Sequence, residues 1–314
     1  MSVTVVGSIA FDTVATPFGS RERMLGGSAV HFALAASFFG EVRVVGPVGE
    51  DFTDEHRDVL RRRGVIGEDI ERVAGGRTFF WRGHYDYDLN TAHTDETQLG
   101  VFGAFEPKLS AESRACEVLF LANIQPSLQR AVAAQCERAR FVALDSMNYW
   151  IETAREELWD TIARVDCLLL NDAELRMLTG EASLVRAARA LMGRGPSAIV
   201  AKRGEYGAAL FTPEGFFALP AFPLESVVDP TGAGDSFAGG FVGSIAAHEG
   251  ANQGEITHAV LARAMAYGTA LASFNVEEFG TDRVARLESE EIVERVEELQ
   301  RMTRFLEEPV PLRA

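Results

Sequence analysis

The stretch VVDPTGAGDSFAGGF, residues 227–241, decides the fold assignment. It opens on Val227 and Val228, which we interpret as the end of a β-strand, and Pro230 then interrupts regular structure. Glycine fills four of the nine positions from 232 to 240, although inside a helix it costs about 1 kcal/mol relative to alanine. Such a cost indicates a main chain that another group must approach closely.

A helix is predicted to begin near Ala233, because Phe237, Phe241 and Ile245 recur at four-residue spacing. The first amides of a helix have no partner within it, and the helix dipole favours negative charge in front of them. A small-residue loop that leads into such a helix is therefore typical of an anion-binding site.

Asp235 lies among those donors. Acidic residues are common in a first helical turn, so capping alone could explain it. Beside an anion site, however, the carboxylate can accept a proton from an attacking hydroxyl while nearby amides stabilise a transferred phosphoryl group. We therefore predict phosphoryl transfer to an alcohol, with Asp235 as general base and Gly232, Ala233 and Gly234 as the anion hole.

Composition limits the remaining possibilities. A chain of 314 residues that is 47% apolar can bury a large core. The net charge of −16 argues against nucleic acid or an anionic membrane as the main partner, so an anionic ligand must be held by local donors. The three cysteines form no CxxC motif, which predicts reduced thiols. The sequence also shows no signal peptide and no long apolar run, so we expect a cytoplasmic protein.

The order of elements predicts an α/β fold. Predicted strands cover residues 3–9, 42–48, 118–123, 141–146, 167–171, 198–204 and 207–211, and predicted helices cover residues 26–39, 54–63, 127–138, 153–162, 173–180, 256–274 and 287–308. This alternation favours a doubly wound, mostly parallel sheet that binds ligands at the carboxyl ends of its strands. We expect one domain over residues 1–314, with a small β-sheet lid built from segments near residues 12–25 and 76–100.

The motif DPTGAGDSFAGGF resembles the C-terminal signature of the ribokinase-like, or PfkB, carbohydrate kinases. The segments GSIAFD, GGSAVHFALAASFFG, VGPVGEDF, NDAELRMLTG and AKRGEYG also occur in that family's order and spacing, so the resemblance covers nearly the whole chain. It implies a parallel sheet with a β-lid over the sugar, ATP as phosphoryl donor to a hydroxymethyl group, and Asp235 as the catalytic base.

On the acceptor side, the resemblance assigns Asp12 to the sugar hydroxyls, where a carboxylate can accept two hydrogen bonds. Gly26 and Gly27 match a diglycine hinge that lets the lid close. Many family members have asparagine five residues after the first of these glycines, whereas this chain has His31. We expect His31 near the floor of the acceptor pocket, with a buried structural role as the alternative, and its presence leaves the acceptor unidentified.

On the nucleotide side, Asn171 and Glu174 match a family motif that organises Mg²⁺ and phosphate through water, although helix capping explains this pair equally well. Mg²⁺ retains several waters and needs few protein ligands. Lys202, Gly204 and Gly207 match the strand and turn beside the nucleotide, where Lys202 faces either phosphate or solvent. Residues 269–275 match the adenine wall by position only.

Asp229 and Thr231 resemble positions that bind a monovalent cation in many family members, so the implied cofactors are ATP, Mg²⁺ and, at this additional site, K⁺. The resemblance also implies that a homodimer, where one forms, uses the lid.

Three functions stay open. A kinase for the hydroxymethyl group of a sugar is the leading hypothesis, and a nucleoside kinase is the alternative, because His31 and the aromatic lid segment FFW, residues 79–81, would suit a base ring. Trp81 is a lid-core residue or a substrate contact. A non-catalytic sugar-binding regulator is the third, but a pure binder has no need of a proton acceptor such as Asp235.

Overall fold

The computed structural model describes residues 1–252 and 255–304. The strands are β1 (Val3–Val6), β2 (Ala10–Thr16), β3 (Gly19–Gly26), β4 (Val42–Val48), β5 (Ile70–Arg72), β6 (Phe79–Tyr85), β7 (Ala92–Gln98), β8 (Val118–Leu121), β9 (Phe141–Asp145), β10 (Cys167–Asn171), β11 (Ala198–Lys202), β12 (Ala208–Thr212) and β13 (Gly215–Leu219). The helices are α1 (Ser28–Ala36), α2 (Asp54–Arg62), α3 (Ala111–Arg114), α4 (Pro126–Ala133), α5 (Asn148–Thr153), α6 (Arg155–Ile162), α7 (Asp172–Thr179), α8 (Leu184–Met192), α9 (Ala233–Asn252), α10 (His258–Asn275), α11 (Asp282–Ala285) and α12 (Ser289–Thr303).

A nine-stranded sheet in the order β13-β12-β11-β10-β9-β8-β1-β4-β5 forms the centre of the molecule. Its strands run parallel except for β12, which pairs antiparallel with β11 on one side and with the edge strand β13 on the other. The strands in the middle are almost fully apolar, as expected for a parallel sheet that is covered on both faces. The predicted doubly wound α/β fold is confirmed.

Helices cover both faces of this sheet. One face packs against α1, α2, α9 and α10 through a core that includes Phe32, Phe120 and Phe241. The other face packs against helices α4 to α8 through a second core that includes Leu121 and Leu168. Both cores are built from closely packed apolar side chains, so the sheet is a rigid platform for side chains at its carboxyl edge.

A second, four-stranded sheet in the order β3-β2-β6-β7 forms the lid. Strands β2 and β6 pair in parallel, while β3 and β7 complete two antiparallel hairpins at the edges. The lid segments expected near residues 12–25 and 76–100 therefore come together as one sheet. Both hairpins reach the main domain, since Thr16 Oγ1 donates to Val228 O at 3.1 Å and Asn90 Nδ2 donates to Glu205 Oε1 at 3.1 Å.

Some elements of the structure differ from the sequence predictions. Val227 and Val228 do not end a strand; they lie in irregular chain, and the Val228 amide donates to Val276 O at 2.8 Å. The helix predicted over residues 153–162 is α6, and the elements α5, α8 and β13 were not predicted. The last predicted helix is α12, and the part of that prediction beyond residue 304 lies outside the described residues.

Within the described residues, no helix combines the length and the apolar character that crossing a bilayer would require.

Candidate active site

The loop over residues 230–234, which we call the glycine loop, leads directly into α9, as the sequence predicts. Gly232 has φ of 75°, a conformation that favours glycine. The amides of Gly234 and Asp235 make no hydrogen bond within residues 1–252 and 255–304. The first turn of α9 therefore presents free donors and the positive end of a helix dipole.

The glycines in this segment serve two different purposes. A Cβ at Gly232 would overlap the His31 ring, and one at Gly234 would lie 3.2 Å from Lys202 Nζ. Further along α9, a Cβ at Gly239 would overlap Phe32 O in α1, and one at Gly240 would lie 2.7 Å from Tyr267 O in α10. Glycine at 232 and 234 lets the side chains of His31 and Lys202 lie against the loop. Glycine at 239 and 240 lets α1 and α10 pack closely against α9.

Asp235 lies in the first turn of α9. Burial raises the pKa of its carboxyl from 3.8 to about 7, with the neighbouring Asp145 raising it further and Lys202 opposing. Its side chain forms no hydrogen bond to any described residue. A carboxylate whose pKa is close to 7 and whose oxygens are free suits general base catalysis near neutral pH.

Lys202, the last residue of β11, supplies positive charge beside the glycine loop. Its Nζ pairs with Asp145 Oδ2 at 2.5 Å, and its ammonium lies against Gly234. Burial by itself would lower the pKa of Lys202, but the carboxylates of Asp145 and Glu174 outweigh burial and raise it. The ammonium therefore stays charged, and it faces the loop rather than solvent.

Asn171 and Glu174 form a reciprocal capping box at the start of α7. Asn171 Oδ1 accepts from the Glu174 amide at 2.7 Å, and Glu174 Oε2 accepts from the Asn171 amide at 2.8 Å. Burial raises the pKa of Glu174 to about 7, and Lys202 opposes this. The capping alternative is thus observed, while Glu174 also lies within electrostatic range of Lys202 and Asp145.

Within the described residues, no group of three or more His, Cys, Asp or Glu side chains is arranged to hold a metal ion. Mg²⁺ that arrives with a nucleotide retains most of its waters and is bound through one or two carboxylates together with phosphate. Glu174 and Asp145 are the carboxylates beside Lys202 that fit such a role.

Asp12 is buried on the lid strand β2. Burial and the nearby carboxylates of Asp229 and Asp235 raise its pKa from 3.8 to about 7, while the Gly27 amide opposes the shift. A Cβ at Gly26 would overlap the Asp12 carboxylate. The diglycine therefore stands at the junction of β3 and α1 and makes room for Asp12; its role as a hinge stays a prediction.

Asp229 is fully buried and fixes the chain before the glycine loop. Its Oδ1 accepts from the Thr231 amide at 2.9 Å, and its Oδ2 accepts from the Gly280 amide at 3.1 Å. Asn275 Nδ2 donates to Thr231 O at 2.7 Å. These bonds bring the two residues predicted to bind a monovalent cation together, and cation binding itself stays a prediction.

The lid closes over this arrangement through Tyr85 in β6. Thr231 Oγ1 donates to Tyr85 Oη at 3.2 Å. Burial raises the pKa of Tyr85, with further contributions from Asp229 and Asp12 among others. Because side chains alternate along a strand, Trp81 lies on the same inner face of β6 as Tyr85, next to Asp12 in register.

The indole of Trp81 lies over Gly83, where a Cβ would overlap the ring, and its Nε1 donates to Thr94 Oγ1 at 3.1 Å. Trp81 as a whole is half-buried.

His31 is buried, as in the structural alternative that the sequence leaves open, and its place near the floor of the acceptor pocket stays a prediction. It is only 2% exposed, its ring lies beneath Gly232, and its Nδ1 is 2.9 Å from Asn275 Oδ1. The structure therefore brings His31 to the glycine loop, where it contacts Gly232 and Asn275.

Gly204 and Gly207 flank a short 3₁₀ turn after β11 with φ of 53° and 84°. A Cβ at Gly204 would lie 2.9 Å from Asn90 Oδ1 at the tip of the lid. The turn predicted to face the nucleotide thus also contacts the lid.

Sequence reasoning missed Asp145, Tyr85 and Asn275. The signal for Asp145 was present, because a lone acidic residue at the carboxyl end of a strand in a doubly wound sheet lies where ligands bind. No comparable local signal marks Tyr85 or Asn275, whose partners lie 146 and 244 residues away.

A model of the pfkB family of carbohydrate kinases matches residues 2–286. The cytidine kinase of Thermococcus kodakarensis is 30% identical over 248 residues, covering 77% of this chain and 87% of that protein. The nucleoside kinase of Methanothermobacter thermautotrophicus is 26% identical over 297 residues, covering 88% of this chain and 89% of that protein.

Among solved structures, a putative ribokinase II from E. coli in complex with ATP and Mg²⁺ superposes with a TM-score of 0.74. The two chains are 18% identical, and the match covers 96% of this chain and 99% of the other. This likeness shows that the fold is shared.

Proposed function

Since the chain belongs to the pfkB family of carbohydrate kinases and is a phosphotransferase with a hydroxyl acceptor, we propose that it transfers the γ-phosphoryl group of ATP to the hydroxymethyl group of a nucleoside. The observation that carries the kinase assignment is Asp235, a carboxylate with its pKa raised to about 7 in the first turn of α9. Next to it stand the free amides of Gly234 and Asp235 at the start of α9.

The residues divide the reaction between them. Asp235 accepts the proton of the acceptor hydroxyl as its oxygen forms the new bond to phosphorus and the bond to the leaving ADP breaks. The amides of Gly234 and Asp235 stabilise negative charge on the transferred group, and Lys202 adds a positive charge beside them. Mg²⁺, when bound with ATP, would neutralise phosphate charge; Glu174 and Asp145 would hold it through water.

Trp81 is the residue that favours a nucleoside over a free sugar. Asp12 offers carboxylate oxygens to the hydroxyls of either acceptor, whereas Trp81, half-buried and beside Asp12 in register, offers an indole ring. A base ring stacked on an indole gains aromatic contact that a free sugar cannot make to the same extent. The 30% identity with a cytidine kinase agrees with this choice.

A free sugar is the second candidate, because the site around Asp12 requires only hydroxyl groups. The two are separated by measuring ADP release and thermal shift with ATP and Mg²⁺ across a panel of nucleosides and free sugars. Ligands that bind the native state raise the melting temperature by mass action. We expect turnover with nucleosides and little with the corresponding free pentoses and hexoses.

Trp81→Leu supplies a sharper comparison. It should lower kcat/KM for nucleosides about 5–150-fold, since stacking of one base on an aromatic ring contributes ~1–3 kcal/mol, and leave the ATP affinity unchanged. Trp159→Leu, in α6 on the far face of the sheet, is the control. Turnover with free sugars alone would replace the nucleoside assignment, and binding of sugars without any turnover would favour the non-catalytic regulator.

A further inference from the structure

A hydrogen-bonded network joins α1, the glycine loop and both long helices behind it. Asn275, the last residue of α10, lies at the centre of this network and is fully buried. Asn275 Oδ1 accepts from Ser236 Oγ at 2.9 Å and is 2.9 Å from His31 Nδ1, and Asn275 Nδ2 donates to Thr231 O at 2.7 Å. We call these residues, His31, Thr231, Ser236 and Asn275, the loop network.

The partners fix the tautomer of His31. Thr231 O is a carbonyl and can only accept, so the Asn275 atom beside it must be the amide nitrogen. The atom that faces His31 is then the amide oxygen, which also can only accept. His31 Nδ1 therefore carries the proton, and Nε2 is the unprotonated nitrogen.

Nε2 has no partner within the described residues and has almost no accessible surface. Burial lowers the pKa of His31, against the attraction of Asp229 and the bond to Asn275, so the ring is neutral. One nitrogen is thus committed to Asn275, and the other is enclosed. Neither is available to a ligand in the cleft.

The imidazole ring also supports the loop by contact. A Cβ at Gly232 would lie only 2.4 Å from His31 Nδ1 and 2.4 and 2.5 Å from two ring carbons, closer than van der Waals contact allows. The ring face therefore lies directly beneath the Gly232 Cα. Any other residue at 232 would collide with the imidazole ring, and a smaller side chain at 31 would leave a gap beneath the loop.

We propose that His31 is a positioning residue: its ring supports Gly232 and its Nδ1–H bond to Asn275 holds the glycine loop, so that it sets the rate of phosphoryl transfer and not the choice of acceptor. This inference rests on the proposed function for its kinetic consequences. The loop carries the amides in front of Asp235, and a displacement of such donors by a fraction of an ångström weakens stabilisation of the transition state more than binding of the ground state.

Two variants separate the ring from the hydrogen bond. His31→Phe retains an aromatic floor beneath Gly232 and removes the Nδ1–H donor, whereas His31→Asn removes the floor as well. Because loss of one preorganised donor typically costs about 10²–10³ in kcat, a displaced loop should cost about 10–100-fold for His31→Asn and less for His31→Phe. KM for the acceptor and for ATP should change less than about threefold, since binding is largely retained.

His258→Gln is the matched control. This histidine also bonds through Nδ1, to Thr212 Oγ1 at 2.8 Å, and lies at the opposite end of α10 from Asn275. The two ends of that helix are about 25 Å apart. Its kcat should equal that of the wild type.

The kinetic readout is the ratio of kcat/KM among nucleosides and sugars, which should be the same in wild type and both His31 variants. A ratio that changes tenfold or more (about 1.4 kcal/mol of discrimination) would overturn the proposal and restore His31 to the acceptor site. So would a loss of thermal stability with kcat preserved.

A second readout requires no turnover. Hydrogen–deuterium exchange of the peptide over residues 229–236, in protein without ligands, should be faster in His31→Asn than in wild type and unchanged in His258→Gln. ¹⁵N spectra of labelled histidine should show His31 as the Nδ1–H tautomer. If no nucleoside or sugar is phosphorylated, the proposed function fails, but the exchange experiment still tests the role of His31. Unchanged exchange in His31→Asn would overturn the positioning role.

Discussion

Replacement of Asp235 by asparagine tests the centre of the mechanism. Asparagine has nearly the same size, retains an acceptor oxygen at the first turn of α9 and cannot accept a proton. The carboxyl of Asp235 has its pKa raised from 3.8 to about 7, and a shift of this size corresponds to up to about 4 kcal/mol. The substitution should therefore change catalysis and stability in opposite directions.

For catalysis, loss of a general base lowers kcat by about 10²–10⁴. The base acts only when deprotonated, so wild-type kcat/KM should rise with pH up to about 7 and level off above it. The pKa of Asp12 is also raised to about 7, so the fall in kcat/KM at low pH does not by itself identify the base. Asp235→Asn should remove most of the rate, whereas Asp12→Asn should act chiefly on KM for the acceptor.

For stability, the sign follows from the raised pKa. Above pH 3.8 the unfolded carboxyl is ionised, while the folded one keeps its proton up to about pH 7, so its contribution to stability is lost as pH rises through that interval. An asparagine has no such loss. Asp235→Asn should therefore melt at a higher temperature than wild type at about pH 8 and show a smaller difference near pH 4.

The assay is ADP release with the preferred acceptor, paired with calorimetry over the same pH range. Asp54→Asn, an exposed acid in the first turn of α2, is the control for a general effect of removing a helix-terminal charge. A near-wild-type kcat in Asp235→Asn would refute the assignment of the base. A lower melting temperature at high pH would refute the electrostatic reasoning separately.

Three further outcomes are expected. Asp12→Asn should raise the melting temperature above about pH 7, because burial raises its pKa as it does that of Asp235, and this gain should vanish towards pH 4; equal gains at both pH values, by calorimetry, would contradict it. Tyr85→Phe removes the partner of Thr231 Oγ1, so KM for the acceptor should rise about fivefold, the equivalent of ~1 kcal/mol, without change in ATP affinity; a fall in melting temperature alone would assign Tyr85 to lid stability. If Asp229 and Thr231 take part in a cation site, steady-state rates should be higher in K⁺ than in Na⁺ at matched ionic strength, and identical rates would remove the cation while leaving the base assignment intact.

The sequence is informative where the chemistry is local. Asp235 and the glycine loop could be predicted because the loop, the helix start and the carboxylate fall within a few residues of each other. Asn171 and Lys202 could be placed at one edge because they end successive strands, and they are indeed register partners in β10 and β11. Such predictions need only the period of the pattern and the direction of the strands.

Contacts that depend on tertiary register could not be predicted in this way. Asp145 ends a strand, as a ligand-binding residue can, but its pairing with Lys202, 57 residues later, depends on how the strands come together. Val227 and Val228 carry the β-branched signal of a strand, yet Val228 donates its amide to Val276 O after α10 instead of to a neighbouring strand. The β-branched residues favour a strand locally, but the tertiary packing places no neighbouring strand beside them.

The distribution of charge explains why one site can hold two unlike ligands in a chain with a net charge of −16. The charged groups that act on Asp12 are the carboxylates of Asp229 and Asp235, so the acceptor side favours a neutral ligand with hydroxyl donors and disfavours a phosphorylated one. On the other side of Asp235, Lys202 and the free amides of α9 favour an anion. Asp235 lies between the two environments and interacts with Asp12 as well as with Lys202. A general base is useful at this position, because the neutral hydroxyl of the acceptor must lose its proton as it attacks the phosphoryl group.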